Sequence, residues 1–225
     1  MSALLWKSLH TLKQRRIRLI ILLILPVVYL FVLLQRDLKG ETIAVFFPAA
    51  FTLFSSAVHF SMDDLAGSES ILATPISILK MWLYNLFFVI VTGHLYCIAL
   101  LAAGFAFMGQ DFGTLSLSFN SIGQLAANLI LCFAFLGAST CHYADYGMGK
   151  QIVASVFALI NLASPFALLL WGSAAVINTT GIVVTAAVGL VLFVLFFLLT
   201  ARADKEKLLI NTQKLTSVYS YSVDE

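Results

Sequence analysis

The last uncharged stretch of the sequence constrains the fold more than any other feature. Residues 151–201 hold no Asp, Glu, Lys or Arg over 51 consecutive positions. A helix of about 20 apolar residues already crosses the hydrocarbon core of a bilayer, so this stretch is too long for one crossing. We expect it to turn back at the polar, glycine-containing segment 172–180, which produces two antiparallel membrane helices.

The rest of the chain divides in the same way. Hydrophobic residues make up 61% of the 225 residues and charged residues only 11%, whereas soluble domains carry about 25% charged residues. Four earlier uncharged runs each accommodate one helix. The sequence therefore predicts an all-α integral membrane protein with six transmembrane helices, at residues 17–35, 42–62, 81–108, 122–141, 151–171 and 181–201.

Lysine and arginine are unevenly distributed between the connecting segments, which predicts the orientation of the chain. Segments on the N-terminal side of the membrane would hold eleven of the 13 basic residues, and the opposite side would hold only Arg36 and Lys39. Because basic loops stay in the cytoplasm, both termini are predicted to be cytoplasmic. Residues 202–225 would then form a cytoplasmic tail.

The segment before the first span has an amphipathic pattern. Leu5, Leu9 and Leu12 fall on one face of a helix, and the basic residues between them face away. This pattern is typical of a helix that lies in the membrane interface, which we predict for residues 1–16. A solvated basic leader is the alternative interpretation.

Motifs of soluble enzymes and metal sites are scarce. His59 and Asp63 stand four residues apart, but two potential ligands without a third favour a helix-terminal histidine over a metal site. Residues 147–150 lack the first glycine and the hydroxyl residue of a nucleotide-binding loop. The net charge of +2 provides no argument for nucleic acid. We expect a chain that is not an enzyme and has no cofactor of its own.

His94 is the one imidazole well inside a predicted span. Ionisable groups within membranes are often functional, so His94 is a candidate for lining a substrate pathway, with a packing role as the alternative. The charged residues between positions 42 and 201 fall in predicted loops. Ion-driven carriers bury such groups within their spans, so we expect the energy for transport to come from another subunit.

The connection between the second and third spans, residues 63–80, carries the clearest functional pattern. Ser68 can cap a short helix with Glu69 in its first turn, and Pro75 ends that helix. Ser77 can cap the third span. A connector of 18 residues with its own start and stop signals favours a docking surface over a solvated loop. The candidate docking residues are Asp63, Asp64, Glu69, Ile71, Leu72, Thr74, Pro75, Ser77 and Lys80.

This connection resembles the first cytoplasmic loop of type-2 ABC transporter permeases. The resemblance rests on residues 64–69 (Asp-Leu-Ala-Gly-Ser-Glu), residues 72–77 (Leu-Ala-Thr-Pro-Ile-Ser) and Lys80 entering a helix. It implies that the loop contains a cytoplasmic coupling helix that seats on a separate ATPase subunit, with Glu69 as its acidic contact. The second cytoplasmic loop, residues 142–150, would make a lesser contact. Its candidate residues are Tyr143, Asp145 and Tyr146.

The resemblance implies a permease subunit of an ATP-driven exporter in the bacterial cytoplasmic (inner) membrane. The chain would dimerise with an identical or a different permease chain, and the partner ATPase would bind ATP and Mg²⁺. The 19 Phe residues favour an amphipathic or hydrophobic substrate, such as a peptide, a lipid, a drug or a haem-like molecule. The alternative is a non-transporting membrane scaffold or immunity subunit, whose partner would bind residues 212–225.

Small residues and prolines inside the spans bear on helix packing. Gly181, Thr185 and Gly189 recur every four residues, a spacing that lets helix backbones approach closely, either within the chain or between two subunits. Three prolines also fall inside predicted spans. Each removes one backbone hydrogen bond, which a membrane tolerates where neighbouring groups satisfy the freed carbonyl.

Overall fold

The computed structural model describes residues 16–36, 38–59, 77–107, 118–140, 148–172, 175 and 177–204. The regular elements of these residues are all α-helices, so the predicted all-α class is confirmed. In chain order they are α1 (Arg16–Leu34), α2 (Gly40–His59), α3 (Ile78–Phe107), α4 (Phe119–Ser139), α5 (Met148–Trp171) and α6 (Thr179–Ala201).

Four of these helices, α3 to α6, are long and apolar enough to cross a membrane by their length and composition. The apolar parts of α1 and α2 are shorter, Ile20–Leu34 and Gly40–Ser56. The described part of the chain is thus a helical, membrane-embedded protein, while six crossings stay a prediction. The predicted interfacial helix (residues 1–15 of 1–16), most of the coupling loop and the tail from residue 205 lie outside the described residues.

Local capping explains where the helices begin. The Ser77 hydroxyl oxygen accepts a hydrogen bond from the backbone N–H of Lys80 at 3.3 Å, at the start of α3. Ser118 and Asn178 cap α4 and α6 in the same way. The helices α3, α4 and α6 therefore start two or three residues before the predicted spans, because a helix begins at its cap rather than at the last charge.

Two helices form the centre of the bundle. Helix α2 packs against α1, α3, α4 and α5, and α4 packs against α2, α3, α5 and α6. One apolar cluster is built around Phe47 and Phe51 of α2, whose rings lie 5.1 Å apart. The other is built around Trp82 of α3 and joins α4, α5 and α6. The outer helices keep broad apolar faces exposed, as expected for contact with lipid.

Successive helices run in opposite directions, so the bundle has two distinct ends. At one, the Glu41 carboxylate accepts hydrogen bonds from the hydroxyls of Ser118 (3.0 Å) and Ser121. At the other, the Trp82 indole N–H donates to the Thr140 hydroxyl at 2.8 Å. We call these the Glu41 end and the Trp82 end. The charged residues of the described chain lie at these ends: Arg16, Arg18, Arg36, Lys39, Glu41, Lys80, Lys150, Arg202 and Asp204.

The proline inside α5 is compensated by its own neighbours. Pro165 has no N–H to donate to the carbonyl of Asn161, four residues earlier. The Ser164 hydroxyl lies 2.7 Å from that carbonyl oxygen and 2.6 Å from the carbonyl oxygen of Ala50 on α2. The carbonyl of Pro165 itself accepts a hydrogen bond from the Tyr29 hydroxyl of α1. The predicted side-chain compensation is therefore present at this proline.

Side chains also reach the turns before the other two helical prolines. The Asn128 amide of α4 donates to the carbonyl of Val45, three residues before Pro48, at 3.1 Å. The Tyr96 hydroxyl of α3 donates at 2.6 Å to the carbonyl of Leu23 in the proline-containing helix α1. These cross-helix hydrogen bonds fix the position of α2 relative to α4 and of α1 relative to α3.

Candidate functional site

A cavity of about 510 Å³ lies between α2, α4, α5 and α6, and we call it the central cavity. It reaches from Trp171 and Ala175, at the Glu41 end, to Leu53 and Phe135, beyond the middle of their helices. This volume falls within the range of about 300–1,000 Å³ that is typical of small-molecule sites. Its other apolar lining residues include Phe46, Ala49, Leu131, Ile160, Ala163 and Ala167.

Four uncharged polar side chains interrupt this apolar lining: Gln124, Asn128, Ser164 and Thr185. The Gln124 amide donates to the Asn128 carboxamide oxygen at 2.9 Å, and the Asn128 amide donates in turn to the backbone of α2. Ser164 also donates to α2, through the carbonyl of Ala50. The polar residues of the cavity thus tie α4 and α5 to the central helix α2.

A buried asparagine lies between two of the lining residues of α5. Asn161 is fully buried, and its amide nitrogen lies 3.4 Å from both the Ser56 hydroxyl and the Phe135 carbonyl oxygen. Its carboxamide oxygen accepts no hydrogen bond within the described part of the chain. Unpaired buried oxygens are rare because each costs about 1–3 kcal/mol. The polar interior therefore retains one unsatisfied acceptor.

The structure places His94 at a contact between α2 and α3. Its Nδ1 atom lies 2.8 Å from the Thr52 hydroxyl oxygen and 3.1 Å from the carbonyl oxygen of Ile90, one turn earlier. His94 does not line the central cavity. These contacts are those of a packing residue that links two helices, and a role of His94 in a pathway stays a prediction.

Two of the predicted docking residues are described, and both lie at the Trp82 end. Ser77 and Lys80 begin α3, where Ser77 is the cap and Lys80 is exposed. The structure therefore places the last part of the predicted coupling loop directly before the packed start of α3. The other predicted docking residues lie outside the described residues: Asp63, Asp64, Glu69, Ile71, Leu72, Thr74, Pro75, Tyr143, Asp145 and Tyr146.

The sequence reasoning did not identify the polar residues of the central cavity. A signal for them was present, because Gln124 and Asn128 stand four residues apart inside an apolar run and so share one helix face. Amide side chains inside a membrane bundle commonly face other helices or a cavity rather than lipid. Ser164 and Thr185 carry no such signal, since single hydroxyl residues can satisfy their own backbone.

We expect Asn128→Leu to lower the free energy of unfolding by about 1–2 kcal/mol, because it leaves the Gln124 amide without its acceptor. The double variant Gln124→Leu/Asn128→Leu should lose less than the sum of the two single variants, since it removes both partners. Equilibrium unfolding of the purified variants in detergent measures both values. Strictly additive losses would show that the two amides do not act as a pair.

Neither metal-ligand geometry nor similarity to known proteins identifies a ligand for the central cavity. Within the described part of the chain, no three His, Cys, Asp or Glu side chains come together as metal ligands would. The chain matches no protein-family model, no curated protein and no solved structure.

Proposed function

We propose that the chain is the permease subunit of an ATP-driven bacterial exporter of the type-2 ABC class. The central cavity is the observation that carries this proposal. A cavity of about 510 Å³ between four apolar helices, open to the outside at Ile160 and Trp171, is large enough for a small amphipathic molecule. Its mostly apolar walls and few polar groups suit a substrate with both kinds of surface. A second permease chain would complete the pathway across the inner membrane, with both termini cytoplasmic.

The distribution of charge supports an energy source outside the chain. The charged residues of the described part lie at the two ends of the bundle, away from the cavity walls. Carriers that are driven by protons or sodium place ion-binding groups beside the substrate site, near the middle of the membrane. In our proposal, ATP and Mg²⁺ bind to a separate ATPase, and residues 63–80 of this chain form its docking surface.

The contacts at the Trp82 end provide a route from that docking surface to the cavity. The proposed docking loop enters α3 at Ser77 and Lys80, and Trp82 lies in the next turn. The Trp82 ring packs against Gly137 of α4 and stacks on Phe193 of α6 with ring centroids 6.1 Å apart. Both of these helices line the central cavity. A displacement of the loop would therefore be transmitted through the buried Trp82 ring to α4 and α6, two walls of the cavity.

We expect Glu69→Arg to abolish co-purification of the ATPase and to reduce substrate-stimulated ATP hydrolysis to its basal rate. Reversing the charge of the proposed acidic contact replaces attraction with repulsion at the docking surface. The measurement is affinity purification of the tagged chain in mild detergent, followed by identification of the bound proteins and their ratio. Glu206→Arg makes the same change on the same predicted side of the membrane and should leave the complex intact.

The outcome of that purification separates transport from the other class of function. An ATPase that stays bound to the Glu69→Arg variant would overturn the assignment of the docking loop. Recovery of the wild-type chain without any ATPase would favour a membrane scaffold or an immunity subunit. In that case, deletion of residues 212–225 should abolish function while substitutions in the loop leave it unchanged.

A further inference from the structure

The walls of the central cavity restrict the charge of any molecule that enters it. The lining residues are all uncharged, and they come from four different helices. Among the described residues, the acidic side chain at the Glu41 end is that of Glu41, which already accepts hydrogen bonds from Ser118 and Ser121. Arg36 and Lys39 are at the bundle ends but are not lining residues, so an ionised group in this cavity would lose its hydration without contacting a counter-charge in the walls. Such a transfer is strongly unfavourable, so the cavity favours an uncharged molecule.

The hydrogen bonds of the lining residues restrict the molecule further. Gln124 and Asn128 each use an amide N–H within the bundle, and Ser164 uses its hydroxyl proton on backbone carbonyls. The Gln124 carboxamide oxygen accepts no hydrogen bond from the described residues, and a lone pair of the Ser164 oxygen is also available. Each of the two amides also has a second N–H, and Thr185 adds a hydroxyl, so the lining contains donors beside these acceptor atoms. The cavity therefore suits a polar group that both donates and accepts hydrogen bonds, such as a hydroxyl or an amide.

Three of the four polar lining side chains lie in one half of the cavity, and the fourth, Asn128, lies at the middle of α4. Gln124 and Thr185 lie in the second turns of α4 and α6, and Ser164 lies two turns before the end of α5. All three positions are in the half that faces the Glu41 end. The half toward the Trp82 end is lined by apolar side chains, including Leu53 and Phe135. The cavity is thus polar at one side and apolar at the other.

We infer that the central cavity binds an uncharged amphipathic molecule, with a hydroxyl- or amide-bearing head beside Gln124 and Ser164 and an apolar tail toward Leu53 and Phe135. The inference rests on the proposed function, because it names the class of substrate that the exporter carries. It excludes the anionic and cationic members of the broader substrate range. A monoacylglycerol has the required chemistry: a neutral hydroxyl head on one aliphatic chain.

Photo-crosslinking tests the inference with three probes that differ only in the head. Each has the same twelve-carbon tail with a diazirine, and the heads are glycerol ester, carboxylate and trimethylammonium. The full-length chain in lipid nanodiscs is irradiated with each probe, and the labelled residues are mapped by mass spectrometry. We expect the glycerol probe to label lining residues of α2, α4 or α5 at least about tenfold more than either charged probe, which corresponds to about 1.4 kcal/mol.

Two variants and one competition experiment control this result. Ala167→Leu places three more carbon atoms in the cavity and should reduce labelling by the glycerol probe several-fold. Ala187→Leu makes the same change on the exposed side of α6 and should leave labelling unchanged. If the cavity variant does not fold, an excess of unlabelled 1-lauroylglycerol should still suppress labelling of the wild-type lining residues.

The outcomes separate this inference from the proposed function. Three results would overturn the inference, even where the ATPase co-purifies. They are equal labelling by the three probes, preference for a probe with a charged head, and labelling confined to lipid-exposed residues. Selective and competable labelling by the glycerol probe supports the inference. If that labelling occurs in a chain that binds no ATPase, the cavity assignment stands and the exporter proposal falls.

Discussion

Replacement of Trp82 with alanine is expected to lower the free energy of unfolding by about 3–5 kcal/mol, the usual cost of removing a fully buried large aromatic side chain. Trp82 is 1% exposed and joins three helices. Its indole N–H donates to Thr140 on α4 at 2.8 Å, and its ring stacks on Phe193 of α6. The alanine variant leaves a large void at the Trp82 end and removes the donor to Thr140, whose hydroxyl keeps only its bonds to the Leu136 and Gly137 carbonyls.

Thermal unfolding followed with a thiol-reactive dye measures this effect, because Cys97 and Cys132 are buried and become reactive on unfolding. Trp171→Ala is the matched control, since Trp171 is 66% exposed at the end of α5 and should change the unfolding temperature little. Trp82→Phe keeps most of the ring packing and loses the hydrogen bond, so it should fall between the two. Equal shifts for the Trp82 and Trp171 alanine variants would contradict the packing role of Trp82.

Gly189→Leu is expected to destabilise the protein by about 1–3 kcal/mol, a shift of several degrees in the unfolding temperature. A β-carbon at position 189 would lie 3.1 Å from the backbone nitrogen of Leu131 and 3.2 Å from the carbonyl carbon of Ile130. Backbone atoms cannot rotate away as side chains do, so α4 and α6 must separate. For Gly189, the close contact that the small-residue spacing predicts lies within the chain, against α4.

The same dye measurement tests this prediction, and another glycine provides its control. Gly149→Leu places an identical side chain where no atom lies within 4 Å of a β-carbon. This variant should be neutral or slightly stabilising, because leucine is the better helix former. A Gly189→Leu variant that unfolds at the same temperature as Gly149→Leu would show that α4 and α6 are not in close contact.

The six described helices were predictable because the hydrocarbon core requires a membrane helix to contain a long run of uncharged, mostly apolar residues. Each of the six described helices agrees with one predicted span to within three residues at either end. The remaining differences come from caps such as Ser118, whose side chain caps α4 ahead of the predicted span, which starts at residue 122. The positions of these six helices therefore followed from the uncharged runs and their lengths, whereas their boundaries depend on single hydrogen bonds.

The central cavity was not predictable, because its walls combine residues that are far apart in the sequence. Phe46 and Thr185 line the same space on different helices, and only the packing of α2, α4, α5 and α6 brings them together. The length of an uncharged run says nothing about which helices are neighbours. Conversely, the proposed docking surface around Glu69 is a local pattern and stays a prediction, since these residues lie outside the described part of the chain.

The burial of α2 has a consequence for the biogenesis of the protein. Helix α2 carries buried polar residues, including Thr42, Thr52 and Ser56, and its neighbours α4 and α5 are synthesised after it. Released alone into lipid, α2 would expose these groups and its shorter apolar segment to hydrocarbon. Helix α6, which has only three buried residues, can enter the bilayer unaided. We therefore expect nascent α2 to enter the bilayer less readily than α6 and to be stabilised there when α4 and α5 emerge and enclose it.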